Sequence, residues 1–366
     1  MLKTRLLLVL TALALATLAC MAAERLIFGV SEVNDYSYAP ATQPSPASSE
    51  RSDPQPAPVK PTESYADADC PNGDCVIACM QGLDSILTPS TANALRGKAH
   101  HASADEEIVL VTYTVSGDEL LYPEINPDVP SRWRNWQQNT DAHTNIWRYY
   151  AALIPAEQRT YLNEFIIYTD GKDESLAAVS QSLTDPTRWD LWVDIADAEH
   201  PQDLTFTLVH EFAHLLTLNA SQIEPNLQVF NNPDDPDIFY NESLKCPNYF
   251  TYEGCANPDS YMNLFIEQFW YDIFDEWEDI DLEEDDDRYY DRLDEFYYTY
   301  EDQFITDYAA TSPEEDIAEA FSFFILSERP RGNSIAEQKV LFFYQFPELI
   351  QLRQQIAIGL CSQVSE

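Results

Sequence analysis

The sequence predicts an α+β domain, with a mixed sheet first, a buried helix next and a mostly helical C-terminal part, and three observations lead there. Four runs at 107–116, 164–169, 176–183 and 191–196 are β-branched or apolar and are bounded by turn residues such as Asp170-Gly171 and Thr184-Asp185-Pro186. An 18-residue stretch from Pro201 to Leu218 then carries Leu204, Leu208, Phe212, Leu215 and Leu216 at helical spacing. Beyond it lie further helical patterns and no internal repeat, so residues 68–366 read as one domain with a long insertion at about 220–304.

The N-terminus belongs to a different class. Lys3 and Arg5 precede an uncharged Leu- and Ala-rich run over 6–19, too short to span a bilayer comfortably, so residues 1–19 read as a secretory signal. The Thr17-Leu18-Ala19-Cys20 end resembles a bacterial lipobox, which implies cleavage before Cys20 and a lipid on its thiol. Residues 20–67 are rich in Pro and Ser, cannot pack a core and read as a tether. The expected location is therefore outside the cytoplasm, at a bacterial cell surface, held to the membrane by the lipid, or secreted if Cys20 is not lipidated.

Six cysteines remain: Cys70, Cys75, Cys79, Cys246, Cys255 and Cys361. An even number in an exported chain favours three disulfides, with Cys246–Cys255 the first pairing to expect because it closes a short loop. The spacing of Cys70, Cys75 and Cys79 is not that of a zinc ribbon.

Within the domain, 107–116 reads as the first strand, and 132–153 as one helix, with Trp133, Trp136, Ile146 and Tyr150 on a core face and Pro155 just beyond it. Runs 164–169, 176–183 and 191–196 give three further strands. The insertion holds the most acidic stretch, 272–302, with sixteen acidic and two basic residues interleaved with aromatics. Amphipathic helices with solvated acidic faces are the simplest reading, since no segment has the D-x-D-x-D-G calcium loop. Over the whole chain 63 Asp+Glu face 20 Lys+Arg, a net charge of −43 that repels phosphate backbones and excludes nucleic acid as a partner.

The chemistry sits on the 201–218 helix, at His210-Glu211-Phe212-Ala213-His214. Residues four apart leave one helix face, so both imidazoles can share a metal while Glu211 reaches a water bound to it. This is the H-E-x-x-H arrangement of zinc peptidases. A third ligand is required. Thr217 and Ala220 stand where a metzincin has Gly and then His or Asp, and Asn232-Pro233-Asp234-Asp235 replaces a thermolysin-type Glu motif. The best position is Glu315, in Ser312-Pro313-Glu314-Glu315-Asp316-Ile317-Ala318-Glu319-Ala320-Phe321, with Glu242 and Glu224 as the next choices. Ser312 and Pro313 mark a helix start there, so Glu315 has a second reading as the partner in a capping box.

His210-Glu211-Phe212-Ala213-His214, Tyr308 and Glu315-Asp316-Ile317-Ala318-Glu319-Ala320-Phe321 together resemble the gluzincin metallopeptidases related to the catalytic domain of anthrax lethal factor, and bacterial zinc-binding metallopeptidases with an E-D-F-A-E-type helix. The resemblance covers about a third of the chain and implies a zincin-like fold and one catalytic Zn2+ held by His210, His214 and Glu315. It further implies Glu211 as the general base, Tyr308 as the donor to the scissile carbonyl oxygen, and Glu319 as the carboxylate that orients a zinc-bound His. The 101-residue gap from His214 to Glu315 is longer than these families usually show, which leaves the insertion without a role. The function expected is zinc-dependent hydrolysis of a peptide or protein substrate. The competing expectation is a non-catalytic lipid-anchored surface protein with structural zinc or a cation- or partner-binding acidic insertion.

Overall fold

A computed structural model describes residues 107–171, 175–198, 201–283 and 285–364. The expected signal, Cys20, the tether, Cys70, Cys75 and Cys79 lie outside the described residues.

Strand β1 (Ile108–Ser116) turns at Gly117-Asp118 into β2 (Glu119–Ile125), an antiparallel partner. Gly117 has φ 61°, the left-handed conformation that a two-residue hairpin turn favours. Pro123 hides β2 in the sequence, and the structure tolerates that proline because β2 is an edge strand.

The expected helix at 132–153 is two helices, α1 (Arg134–Gln137) and α2 (Thr140–Leu153). Asn139 separates them, its side chain accepting from the Ala142 amide as an N-cap. On α2, His143, Ile146, Trp147, Tyr150 and Leu153 are buried, one stripe of an amphipathic helix.

Strands β3 (Leu162–Thr169), β4 (Ala177–Gln181) and β5 (Trp189–Asp194) complete a five-stranded sheet of order β2-β1-β3-β5-β4. Only β3 and β5 run parallel, so the sheet is mixed, with β4 at the second edge, antiparallel to β5. Helix α3 (Pro201–Leu218) packs on β4, and outside the His-Glu-x-x-His segment its buried residues are apolar apart from Thr205 and Thr217.

The insertion forms a small ordered layer. Strand β6 (Ile223–Pro225) pairs with β7 (Gly254–Ala256), with α4 (Leu227–Asn231) and α5 (Pro236–Ser243) between them. Cys246 and Cys255 are disulfide-bonded with their Cα atoms 5.5 Å apart. Gly254 has φ 148°, and a Cβ there would collide with the Glu224 carbonyl, so the approach of β7 to β6 requires glycine. Helices α6 (Tyr261–Phe269), α7 (Phe274–Asp281) and α8 (Asp286–Thr299) follow. The acidic stretch becomes α7 and α8, which bury Trp277, Ile280, Tyr289, Leu293 and Phe296 and leave most of their carboxylates at the surface.

Helix α9 (Pro313–Leu326) runs through the centre, between α3 and α10 (Ile335–Phe342), and α11 (Pro347–Val364) packs along α2. Every α9 residue except Glu314 is buried, including Glu315, Asp316 and Glu319. Carboxylates at such depth need charged or hydrogen-bonding partners. Asp316 finds them in Lys339 of α10, whose Nζ lies 2.6 Å away, and in the Trp270 indole N–H at 2.7 Å. Among the described residues no helix is long and apolar enough to cross a membrane.

Candidate metal centre

Helix α3 carries His210 and His214 one turn apart, and both are buried because α9 lies across that face. Their Nε2 atoms are 3.1 Å apart. Glu315 arrives from α9 with Oε2 2.9 Å from His210 Nε2 and Oε1 3.5 Å from His214 Nε2. Ser312 caps α9 by accepting from the Glu315 amide, while the Glu315 carboxylate turns to the two histidines. The contrast is Ser334 with Glu337 at the start of α10, where the Glu side chain does return to its cap residue.

Burial alone would raise the Glu315 carboxyl, but the His214 and His210 imidazoles hold it well below the usual carboxylate range. Two ligands of a tetrahedral zinc stand about 3.3–3.4 Å apart when each bond is about 2.0–2.1 Å. The two Nε2 atoms stand 3.1 Å apart, and the Glu315 carboxylate meets His210 through Oε2 at 2.9 Å and His214 through Oε1 at 3.5 Å, so two imidazoles and one carboxylate converge at separations near that value. The donor set of two imidazoles and one carboxylate leaves a fourth position for water or substrate.

The next turn of α9 grips the same histidine from behind. Glu319 Oε1 lies 2.9 Å from His210 Nδ1, and Glu319 Oε2 accepts from the Thr306 hydroxyl at 2.9 Å. Thr306 in turn accepts from the Ala309 amide. A carboxylate at Nδ1 would keep a proton there when a metal ion is bound and so leave the Nε2 lone pair for the ion. Nothing in the sequence around Thr306 marks it for this position.

Glu211 is buried next to His210, and its Oε2 accepts from the Val179 amide of β4 at 2.9 Å. Tyr308 lies in the short turn Tyr308–Ala310 ahead of α9, with its ring centroid 6.0 Å from that of His210. Glu224 is an exposed residue of β6, and Glu242 pairs with Lys245 at 2.5 Å, so neither joins the group that Glu315 completes.

The insertion reaches this site, which sequence spacing could not show. Tyr249, in the disulfide-closed loop, donates its hydroxyl to Glu314 Oε1 at 2.9 Å. Burial pushes the Glu314 carboxyl up to about 7. It raises the carboxyl of Glu253 as well, against hydrogen bonds from the Thr251 side chain and the Glu253 backbone and, last, the charge of His214. A second convergence among the described residues, Asp170, Asp194 and Asp197, lies at the carboxyl ends of the parallel strands β3 and β5. There Asp194 accepts from the Asp170 and Ala196 amides.

Comparison with protein-family models, curated proteins and solved structures gives no match for this chain.

Proposed function

We propose that the chain is a zinc-dependent endopeptidase of gluzincin type with a zincin-like fold, acting outside the cytoplasm and tethered to the membrane through a lipid on Cys20. One observation carries the reading: His210, His214 and Glu315, from helices 101 residues apart at their closest ligands, place their donor atoms within 4.8 Å of one another in a buried site. Glu319 behind His210 supports it, because metal-ligating imidazoles are ordinarily held by such a carboxylate.

When bound, zinc supplies a Lewis acid and brings the pKa of its water toward neutrality. The chain's own groups do the rest. Glu211 takes a proton from the attacking water and delivers it to the leaving amine, so that one proton moves from nucleophile to leaving group as the C–N bond breaks. Tyr308 donates a hydrogen bond to the carbonyl oxygen as negative charge grows there. The β4 edge offers backbone groups to an extended peptide.

The purified chain is expected to contain one zinc ion by elemental analysis and to cleave members of a peptide library in a chelator-sensitive manner. Glu211→Gln should retain zinc while hydrolysis falls by about 10²–10⁴-fold. Glu315→Ala should lose the metal. Zinc in full stoichiometry after Glu315→Ala would move the third ligand elsewhere, and zinc without cleavage of any peptide would favour a structural metal.

A further inference from the structure

We infer that the backbone amide of Val179 is the positioning group for the Glu211 carboxylate, an inference that rests on Glu211 being the proton acceptor. The ladder between β4 and β5 fixes which way this amide points. Asp194 donates to the Leu176 carbonyl at 2.8 Å and Ser182 donates to the Arg188 carbonyl at 2.8 Å, with Ala178 opposite Trp192 and Ser180 opposite Asp190. In an antiparallel pair the bonded positions alternate, so residues 176, 178, 180 and 182 face β5. Ala177, Val179 and Gln181 therefore direct their N–H and C=O groups away from the sheet.

At most sheet edges such groups meet water. Val179 is buried, because α3 packs across β4, and a buried amide must find an acceptor within the protein. Its acceptor is Glu211 Oε2, at 2.9 Å. A bond from an amide to a carboxylate is among the stronger hydrogen bonds, and it ties a side chain with three free torsions to the rigid sheet.

Two consequences follow for the reaction. With Oε2 held by Val179, the proton from water goes to Oε1; once Oε1 is protonated, Oε2 is the carbonyl oxygen of the acid and still accepts from the amide, so the carboxyl group need not turn before it returns the proton. An extended substrate pairing with β4 also finds the Val179 N–H occupied. It is left with Ala177, Gln181 and the Val179 carbonyl, so the ladder it forms is interrupted beside the base.

The test deletes one N–H. Val179→Pro removes the amide proton at an edge position where proline costs no ladder bond, and Ala178 before it is already extended. In the zinc-loaded protein, kcat should fall by about 10–100-fold with KM changed by less than about threefold. Ala177→Pro, on the same outward edge and at the first residue of the strand, should instead act mainly on KM. Equal losses of kcat in the two variants, or parental kcat in Val179→Pro, would overturn the inference.

A second measurement does not depend on turnover. Hydrogen exchange over residues 176–182 should show a slow Val179 amide in the parent and in Glu211→Gln, which keeps a carbonyl acceptor, and faster exchange by at least about tenfold in Glu211→Ala. Unchanged Val179 exchange in Glu211→Ala would refute the contact whatever the enzyme does. Lost protection in that variant, with no peptide cleaved by the parent, would instead refute the peptidase reading and leave the contact standing.

Discussion

Glu315 shows how little spacing can decide about a single residue. Its place three residues after Ser312 fits a capping box and a metal ligand equally well, and only the arrival of α9 against α3 turns its carboxylate to His210 and His214. The histidines and Glu211 were legible because an i, i+4 pair on one helix is a local relation. Thr306 was not, because its role exists only where Glu319 meets His210. Removing its hydroxyl in Thr306→Val should leave Glu319 less well oriented and weaken zinc binding by about 10-fold, measured by competition with a chelator of known affinity. Zinc affinity equal to the parental value would show that the Thr306–Glu319 bond does not tune the metal.

Among the elements, α9 brings Glu315 and Glu319 to the two histidines of α3, and a buried ion pair ties it to α10. Lys339 and Asp316 are both fully buried, with Nζ and Oδ2 2.6 Å apart. Burial lowers the Lys339 ammonium, against the pull of Asp316, and pushes the Asp316 carboxyl up to about 6, against Lys339. Taking away one partner strands the other charge in the interior. Lys339→Met is therefore expected to cost about 3–5 kcal/mol in urea unfolding, and Lys339→Met with Asp316→Asn less than Lys339→Met alone. Additive losses in the double variant would mean that the two side chains are not coupled.

Legibility of the elements followed the same rule of locality. The 18 residues of α3 were plain from their apolar spacing. Helices α1 and α2 look like one in the sequence because the cap at Asn139 interrupts neither the aromatic pattern nor the helical propensity around it. Strand β2 was lost because an edge strand can carry a proline and an exposed face, and so shows no clean alternation. The insertion was recognised as acidic and amphipathic, but its approach to the site was not, since that depends on the turn at Gly254 and the Cys246–Cys255 bridge.

Over the whole molecule the charge of −43 is unevenly placed. Residues 272–302 alone contribute −14, mostly on the solvent faces of α7 and α8. Nearer His210, His214 and Glu315, Glu253 and Glu314 come from the closed loop and the start of α9, and Asp281 at the end of α7 acts electrostatically on Tyr249 between them. This arrangement should discriminate between substrates. In a matched peptide series at low salt, basic members are expected to be cleaved at about 10-fold higher kcat/KM than acidic ones, with the ratio narrowing as ionic strength rises toward 0.5 M. Equal rates for both series at low salt would confine the charge to solubility.

The sequence by itself determined the α+β class, the run of strands leading into an apolar helix, and the pair of imidazoles with a carboxylate between them. Each is written in the alternation or helical spacing of neighbouring residues. Only the tertiary structure decided which carboxylate faces the histidines, which one stands behind them, and what holds Glu211. Those choices join α3 to α9 and to the β4 edge across long stretches of chain, and contacts of that kind are set by packing, which no local spacing records.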